Sequence, residues 1–230
     1  MKYKVILFDA DETLFDFKKS EREAFKNTML EFNIDYDENY HLKIYQDINT
    51  AIWREFEQGH ITQEDLKVER FKRLSNRLNI TFDPALFAKS YMKYLATASF
   101  LYDDSVDLVE SLNPSYTLSI ITNGLKSVQE NRIRKSTIAP YFDDIVISEE
   151  IAISKPNPKI FGHALKNINH TDKSKVLMVG DSLTSDIQGG INFGIDTCWY
   201  NPSKMKNKTN IRPTYEISNF NELKDLLLES

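Results

Sequence analysis

Val5-Ile6-Leu7-Phe8-Asp9-Ala10-Asp11-Glu12-Thr13-Leu14 is the stretch that decides the fold. An apolar run long enough for one buried strand ends in two carboxylates spaced i, i+2, with a threonine just beyond. Carboxylates crowded at a strand end repel each other unless a cation lies between them. The carboxyl end of a parallel strand is also where α/β proteins place their ligands. On its own the stretch fits either a solvated acidic turn or a cation site, so its partners must come from elsewhere in the chain.

Further strand-like runs follow at 116–121, 144–147, 175–179 and 195–199, the first one spanning 4–8. Their apolar stretches are nearly continuous rather than alternating, as in parallel strands covered on both faces. Helical patterns lie between them near 105–112, 126–136, 158–167 and 184–193, with a last one near 220–229. This alternation predicts a doubly wound, Rossmann-like α/β sheet. Residues 16–98 break the rhythm, with helical pattern and almost no strand signal. Ser20 and Glu23 have capping-box spacing ahead of Phe25, Met29 and Phe32. Thr62 with Asp65, and Asp83 before Pro84, mark two further helix starts. The expected organisation is an α/β core of residues 1–15 and 99–230 with an all-α domain, 16–98, inserted after the first strand. The polar segment 201–213 is expected to be an ordered surface loop.

The 230 residues are 41% hydrophobic and 27% charged, ordinary for a globular protein. A net charge of −5 argues against a nucleic-acid polymer as partner. No apolar stretch approaches the roughly 18 residues that span a bilayer, so no membrane partner is expected. Met1-Lys2-Tyr3-Lys4 carries no signal-peptide pattern, and the single Cys198 cannot form an internal disulfide. A cytoplasmic location is the expectation. The 4 histidines have no ligand-like spacing. Oligomeric state is not written in the sequence.

Three later sites join the first. Ile120-Ile121-Thr122-Asn123-Gly124 puts a hydroxyl and turn N–H groups at a strand end, a combination found in plain turns and in phosphate cradles alike. Lys155, between Ile151-Ala152-Ile153-Ser154 and Pro156-Asn157-Pro158, is either a solvated lysine or one held rigidly. Gly180-Asp181 ends a fourth strand, and Asp186 falls in the first turn after it. Helix capping accounts for one of these acids, while two acids bracketing the turn fit a metal site better.

Taken in order, Asp9-x-Asp11-x-Thr13, Thr122-Asn123, Lys155 and Gly180-Asp181…Asp186 resemble the four motifs of the haloacid dehalogenase superfamily of phosphohydrolases. The resemblance covers the whole chain, and the helical insert is similar to that superfamily's C1 cap. It implies an Asp9 nucleophile forming an aspartyl phosphate, with Lys155 neutralising phosphoryl charge. It also implies a Mg²⁺ ion held by Asp9, Asp11 (through its carbonyl) and Asp181, with Asp186 as an outer acid. Asp11 would be the general acid and base, and Thr122 with the Asn123 backbone would hold the phosphate. Dehalogenases of the superfamily lack that second acid, so Asp11 points to phosphate esters.

At finer resolution Asp9-Ala10-Asp11-Glu12-Thr13-Leu14-Phe15, Val146-Ile147-Ser148-Glu149-Glu150, Lys155-Pro156-Asn157 and Val176-Leu177-Met178-Val179-Gly180-Asp181 resemble the pyrimidine 5′-nucleotidase branch. Glu12 departs from the commoner glycine at that position. The implied partner is a small phosphate ester, a pyrimidine nucleoside monophosphate, with a broad phosphatase for phosphoglycolate or sugar phosphates as the alternative. Tyr45, Asn49 and Trp53 recur at i, i+4, i+8, which suits either packing within the helical domain or a substrate-facing stripe, and Asn49 and Trp53 are the candidate substrate contacts. A catalytically silent binding protein on the same fold is the remaining alternative, which the joint presence of Asp9, Asp11, Lys155 and Asp181 disfavours.

Overall fold

In a computed structural model describing residues 2–228, six parallel strands form one sheet in the order β3-β2-β1-β4-β5-β6. They are β1 (Val5–Phe8), β2 (Thr117–Thr122), β3 (Asp144–Ile147), β4 (Val176–Gly180), β5 (Asp196–Tyr200) and β6 (Tyr215–Ile217). Met1, Glu229 and Ser230 lie outside the described residues, so the expected last residue of the final helix is not described. The chain builds outward from β1 in one direction through β2 and β3, then in the other through β4, β5 and β6. β1 pairs with β2 and β4, Phe8 aligning with Ile120 on one side and Val179 on the other. The sheet therefore reverses direction at β1, and the crevice at its carboxyl end is the ligand position such a topology creates.

Both sheet faces are apolar because side chains alternate along each strand. Ile6, Phe8, Leu118, Ile120, Leu177 and Val179 pack with Leu108 and Leu112 of α5 (Ser105–Leu112) and with Leu223 and Leu227 of the last helix. Val5, Leu7, Ile121, Val146, Val176 and Met178 pack on the other face with Ile160, Phe161, Ala164 and Leu165 of α8 (Pro158–Asn167). Each fully buried side chain of this kind contributes about 1.5–3 kcal/mol, so burial on two faces explains the unbroken apolar runs. The remaining helices of this layer are α6 (Lys126–Arg132), α7 (Ser148–Ile151), α9 (Gln188–Phe193) and α10 (Phe220–Leu228).

The chain divides into two compact units, Met1–Phe17 with Ser99–Ser230, and Lys18–Ala98. The second contains α1 (Phe17–Glu31, from its second residue), α2 (Lys43–Glu57), α3 (Gln63–Leu78) and α4 (Pro84–Thr97). Its core is a pile of rings: Phe25 stacks on Tyr45 at 4.6 Å, Tyr45 on Phe71 at 5.6 Å, and Phe71 meets Phe87 at 5.1 Å. Thr62 and Asp65 form the capping box that their spacing predicts, and Asp83 caps α4 with Pro84 in its first turn. Ser20 does not cap α1, because that helix starts three residues earlier, at Phe17, and Ser20 is buried inside it. The segments that leave and re-enter the α/β unit are paired: Phe15 bridges Leu101, the Asp16 N–H donates to the Phe100 carbonyl at 3.0 Å, and the Tyr102 N–H to the Leu14 carbonyl at 3.1 Å.

Candidate active site

Asp9 follows β1 directly, and its N–H still bonds the Val179 carbonyl at 2.9 Å, so the sheet itself fixes its backbone. Its Oδ1 accepts from Lys155 Nζ at 2.5 Å and its Oδ2 from Thr13 Oγ1 at 3.4 Å. Lys155 Nζ also pairs with Asp186 Oδ1 at 2.8 Å and donates to the Ile121 carbonyl at 2.6 Å. An ammonium has three protons, and all three have acceptors here. The Lys155 backbone is pinned by Asn123, whose side chain donates to the Lys155 carbonyl at 2.9 Å and accepts from its N–H at 2.8 Å. Of the two readings open for Lys155, the rigid one holds, since its side chain is 1% exposed.

Asp186 is fixed by the Ser182 N–H, which donates to its Oδ2 at 2.9 Å. It reaches this place because residue 180 is glycine: a Cβ there would meet Asp186 Oδ2 at 2.3 Å. The Asp181 carbonyl accepts from Trp199 Nε1 at 2.8 Å, which anchors the turn beyond β4. Asp9, Asp181 and Asp186 each offer a carboxylate oxygen within 4.8 Å of the others, the one such cluster found among the described residues.

With the three carboxylates and the one ammonium charged, the cluster would carry a net charge of −2. Burial pushes the Asp9 carboxyl up to about 7 against the pull of Lys155. Burial, then Asp9, Asp186 and Glu12, hold Asp181 well above the ordinary carboxylate range. Burial works against the Lys155 charge too, yet Asp186 and Asp9 outweigh it and raise its pKa. An all-oxygen donor set carrying this excess of negative charge fits a hard divalent cation.

Asp11 lies on the other side of the turn, its side chain 24% exposed. Its Oδ2 accepts from Gln129 Nε2 at 2.7 Å and its Oδ1 from Arg132 Nη1 at 2.8 Å. Gln129 Nε2 also donates to Thr122 Oγ1 at 3.1 Å, and the Gly124 N–H donates to the same oxygen at 3.2 Å. The sequence pattern places Gln129 and Arg132 on a helix without marking them as site residues. Their i, i+3 spacing is a local signal, whereas the partner they share, Asp11, is 118 and 121 residues away. Glu12 stands at φ 63°, the left-handed region glycine occupies without strain, which gives a backbone reason for the commoner glycine. Its carboxylate accepts from Tyr102 OH at 3.3 Å.

In the helical unit Asn49 is buried, its amide donating to Glu21 Oε1 at 2.8 Å and accepting from Arg70 Nη1 at 3.1 Å. Tyr45 is enclosed in the ring pile. Trp53 is half-buried, edge-on to Phe56 at 5.8 Å.

The architecture is that of a doubly wound α/β protein with its polar residues gathered at the carboxyl edge of the sheet, beside the strand where the order reverses. Within that class the chain belongs to the haloacid dehalogenase-like hydrolases, whose family description matches residues 6–200. It is 37% identical to the pyrimidine 5′-nucleotidase PynA of Streptococcus pneumoniae over 99% of this chain and 96% of that one. It is 36% identical to the pyrimidine 5′-nucleotidase YjjG of Escherichia coli over 99% of both. The magnesium-bound crystal structure of the HAD-hydrolase YfnB of Bacillus subtilis superposes with a TM-score of 0.93 at 35% identity, covering 99% of this chain and 100% of that one. Among the described residues no helix is long and apolar enough to cross a membrane.

Proposed function

We propose that this enzyme is a Mg²⁺-dependent phosphomonoesterase that works through an aspartyl phosphate and prefers pyrimidine nucleoside 5′-monophosphates. The observation that carries the chemistry is the pairing of two unlike acids at one strand end: Asp9 tied to a buried ammonium, and Asp11 held apart from it and partly open to solvent. The substrate class is supported by the two nucleotidases similar along almost the whole chain.

In this reading an Asp9 carboxylate oxygen attacks phosphorus, the bond from phosphorus to the leaving oxygen breaks, and Asp11 delivers its proton to that oxygen. Water then attacks the phosphoryl group, gives its proton to Asp11, and the bond between Asp9 and phosphorus breaks to release phosphate. Asp9 is a weak nucleophile, so positioning and charge neutralisation supply most of the acceleration. Lys155 neutralises phosphoryl charge, while the Thr122 hydroxyl and the Asn123 N–H hold phosphoryl oxygens. Asp9, Asp181 and the Asp11 carbonyl would hold Mg²⁺, with Asp186 orienting Lys155 and the ion's water. Bound there, the ion supplies further neutralisation of charge on the phosphoryl oxygens. Lys18–Ala98 acts as the cap that selects the leaving group. Within it Trp53 remains a candidate contact, while the Asn49 amide is bonded at both ends.

Parallel assays of UMP, dTMP, AMP, phosphoglycolate and glucose 1-phosphate, with and without Mg²⁺, test this reading. Expected are kcat/KM values for UMP and dTMP at least about tenfold above the other three. Equal rates on all five would overturn the nucleotidase preference and leave a broad phosphatase. Full activity in EDTA would overturn the metal.

A further inference from the structure

We infer that Gln129 and Arg132 are positioning residues that hold the Asp11 carboxylate by both oxygens, and that Gln129 couples this grip to Thr122. The inference rests on the proposed role of Asp11 in proton transfer.

One turn apart on α6, the two side chains share a face, and both are buried, at 1% and 0% exposure. Gln129 uses its amide fully: Nε2 serves Asp11 Oδ2 and Thr122 Oγ1, while Oε1 accepts from Arg132 Nη1 at 3.0 Å. Arg132 Nη1 serves Asp11 Oδ1, so each carboxylate oxygen has its own fixed donor. Turning the carboxylate about its bond to Cβ would break both contacts together. The guanidinium lies over the rings of Phe17 and Phe15, with centroids at 5.2 and 5.9 Å, and the Arg132 carbonyl accepts from Ser99 Oγ at 2.6 Å. Arg132 is therefore held in place at both ends, as a pre-organised site requires.

Two observations set this apart from an ordinary internal ion pair. A Cβ on Gly124 would fall 2.2 Å from Gln129 Nε2, so the turn after β2 leaves out a side chain at the place the amide occupies. The pair is also asymmetric. Burying a guanidinium is costly and calls for a well-placed, hydrogen-bonded partner. Here Arg132 has no exposed side-chain area, while Asp11 keeps 24%. The buried partners grip the carboxylate from behind and leave it reachable.

The test compares Gln129→Met, Arg132→Met, Arg132→Lys and Asp11→Asn on p-nitrophenyl phosphate with Mg²⁺, alongside thermal melts. p-Nitrophenolate leaves without help from a proton, whereas hydrolysis of the phosphoenzyme needs Asp11 to accept one. Gln129→Met and Arg132→Met are expected to lose about tenfold to a hundredfold in kcat with KM changed less than about threefold. Each should also show a burst of about one p-nitrophenolate per enzyme before slow turnover. Arg132→Lys, which restores one charged donor, should recover part of the loss. Gln129→Met decides the matter if Arg132→Met does not fold. Unchanged kcat in Gln129→Met beside an inactive Asp11→Asn overturns the inference and spares the role of Asp11. Wild-type kcat in Asp11→Asn overturns that role itself. A loss of activity without a burst, with KM raised and melting lowered, marks a structural contact and also overturns the inference.

Discussion

The α/β unit and the helical unit each bury a charged cluster, and the two are built on opposite plans. At the sheet edge, Asp9 and Asp186 pair with the single ammonium of Lys155, and Asp181 stands beside those two carboxylates. In the helical unit, Arg70 and Glu21 carry one charge each, and Asn49 bridges them at 3.1 and 2.8 Å. Arg70 also lies over the Phe71 and Tyr91 rings, and Gln46 donates to Glu21 at 3.1 Å. The bridged cluster balances internally, whereas the sheet-edge cluster has its charge balanced only when something positive joins it. An unbalanced buried cluster is a statement about a ligand; a balanced one is a statement about the fold.

That contrast is easiest to break at its strongest point. Asp9→Asn should lower kcat by at least about 10⁴ and abolish acid-stable phosphoenzyme in quenched reactions, while leaving the melting temperature in EDTA unchanged or raised. Retained turnover would remove Asp9 as nucleophile, and a large fall in melting temperature would make the sheet-edge cluster a stabilising one. Arg70→Met should do the reverse. Removing one member of a buried balanced set costs about 3–5 kcal/mol, read by urea denaturation. Hydrolysis of p-nitrophenyl phosphate by the variant that stays folded should persist. A cost under about 0.5 kcal/mol would show that the bridge through Asn49 does not stabilise the unit.

The smallest effect concerns pH. The Asp9 carboxyl titrates at about 7 in the folded metal-free chain and Asp181 is also raised, so the folded state binds protons that the unfolded chain, with carboxyls at ordinary values, has released. The stability these two carboxyls give the metal-free chain should therefore be lost as pH rises from about 4 through about 7. In the proposed reading Mg²⁺ would compete with those protons. Its saturating increment in melting temperature should grow from near zero at pH 5 to about 5 °C at pH 7.5. An increment that is the same at both values would separate the ion from these carboxylates.

How much of this was legible in the sequence differs between the same two regions. β1 to β5 were readable because burial on both faces makes a strand apolar throughout, and three of the four motif positions fall at the ends of such strands, Lys155 following α7 instead. β6 was not: it has three residues, at the sheet's edge, and Glu216 within it is exposed. α6 ends at Arg132 rather than continuing to 136, with Ile133 as its C-cap. Gln129 and Arg132 were invisible as site residues because a polar helix face reads as solvated until the strand-end acid it meets is known. The Tyr45, Asn49, Trp53 stripe was legible as a helix face, yet its partners Glu21 and Arg70 come from other helices, and pattern alone does not pair them.

The pairing of Phe15 with Leu101, and of the backbone on either side of it, has one further consequence. Closing a loop costs entropy that grows only with the logarithm of its length, and here hydrogen bonds hold the two ends together at the point of departure. For the sheet, everything from Lys18 to Ala98 counts as a turn. Helices there could be lengthened, exchanged for others or rebuilt in sequence, and Asp9 and Asp11 would keep their register against β2 and β4. A lineage with this architecture can take up new substrates by replacing a cassette, with its chemistry inherited unchanged.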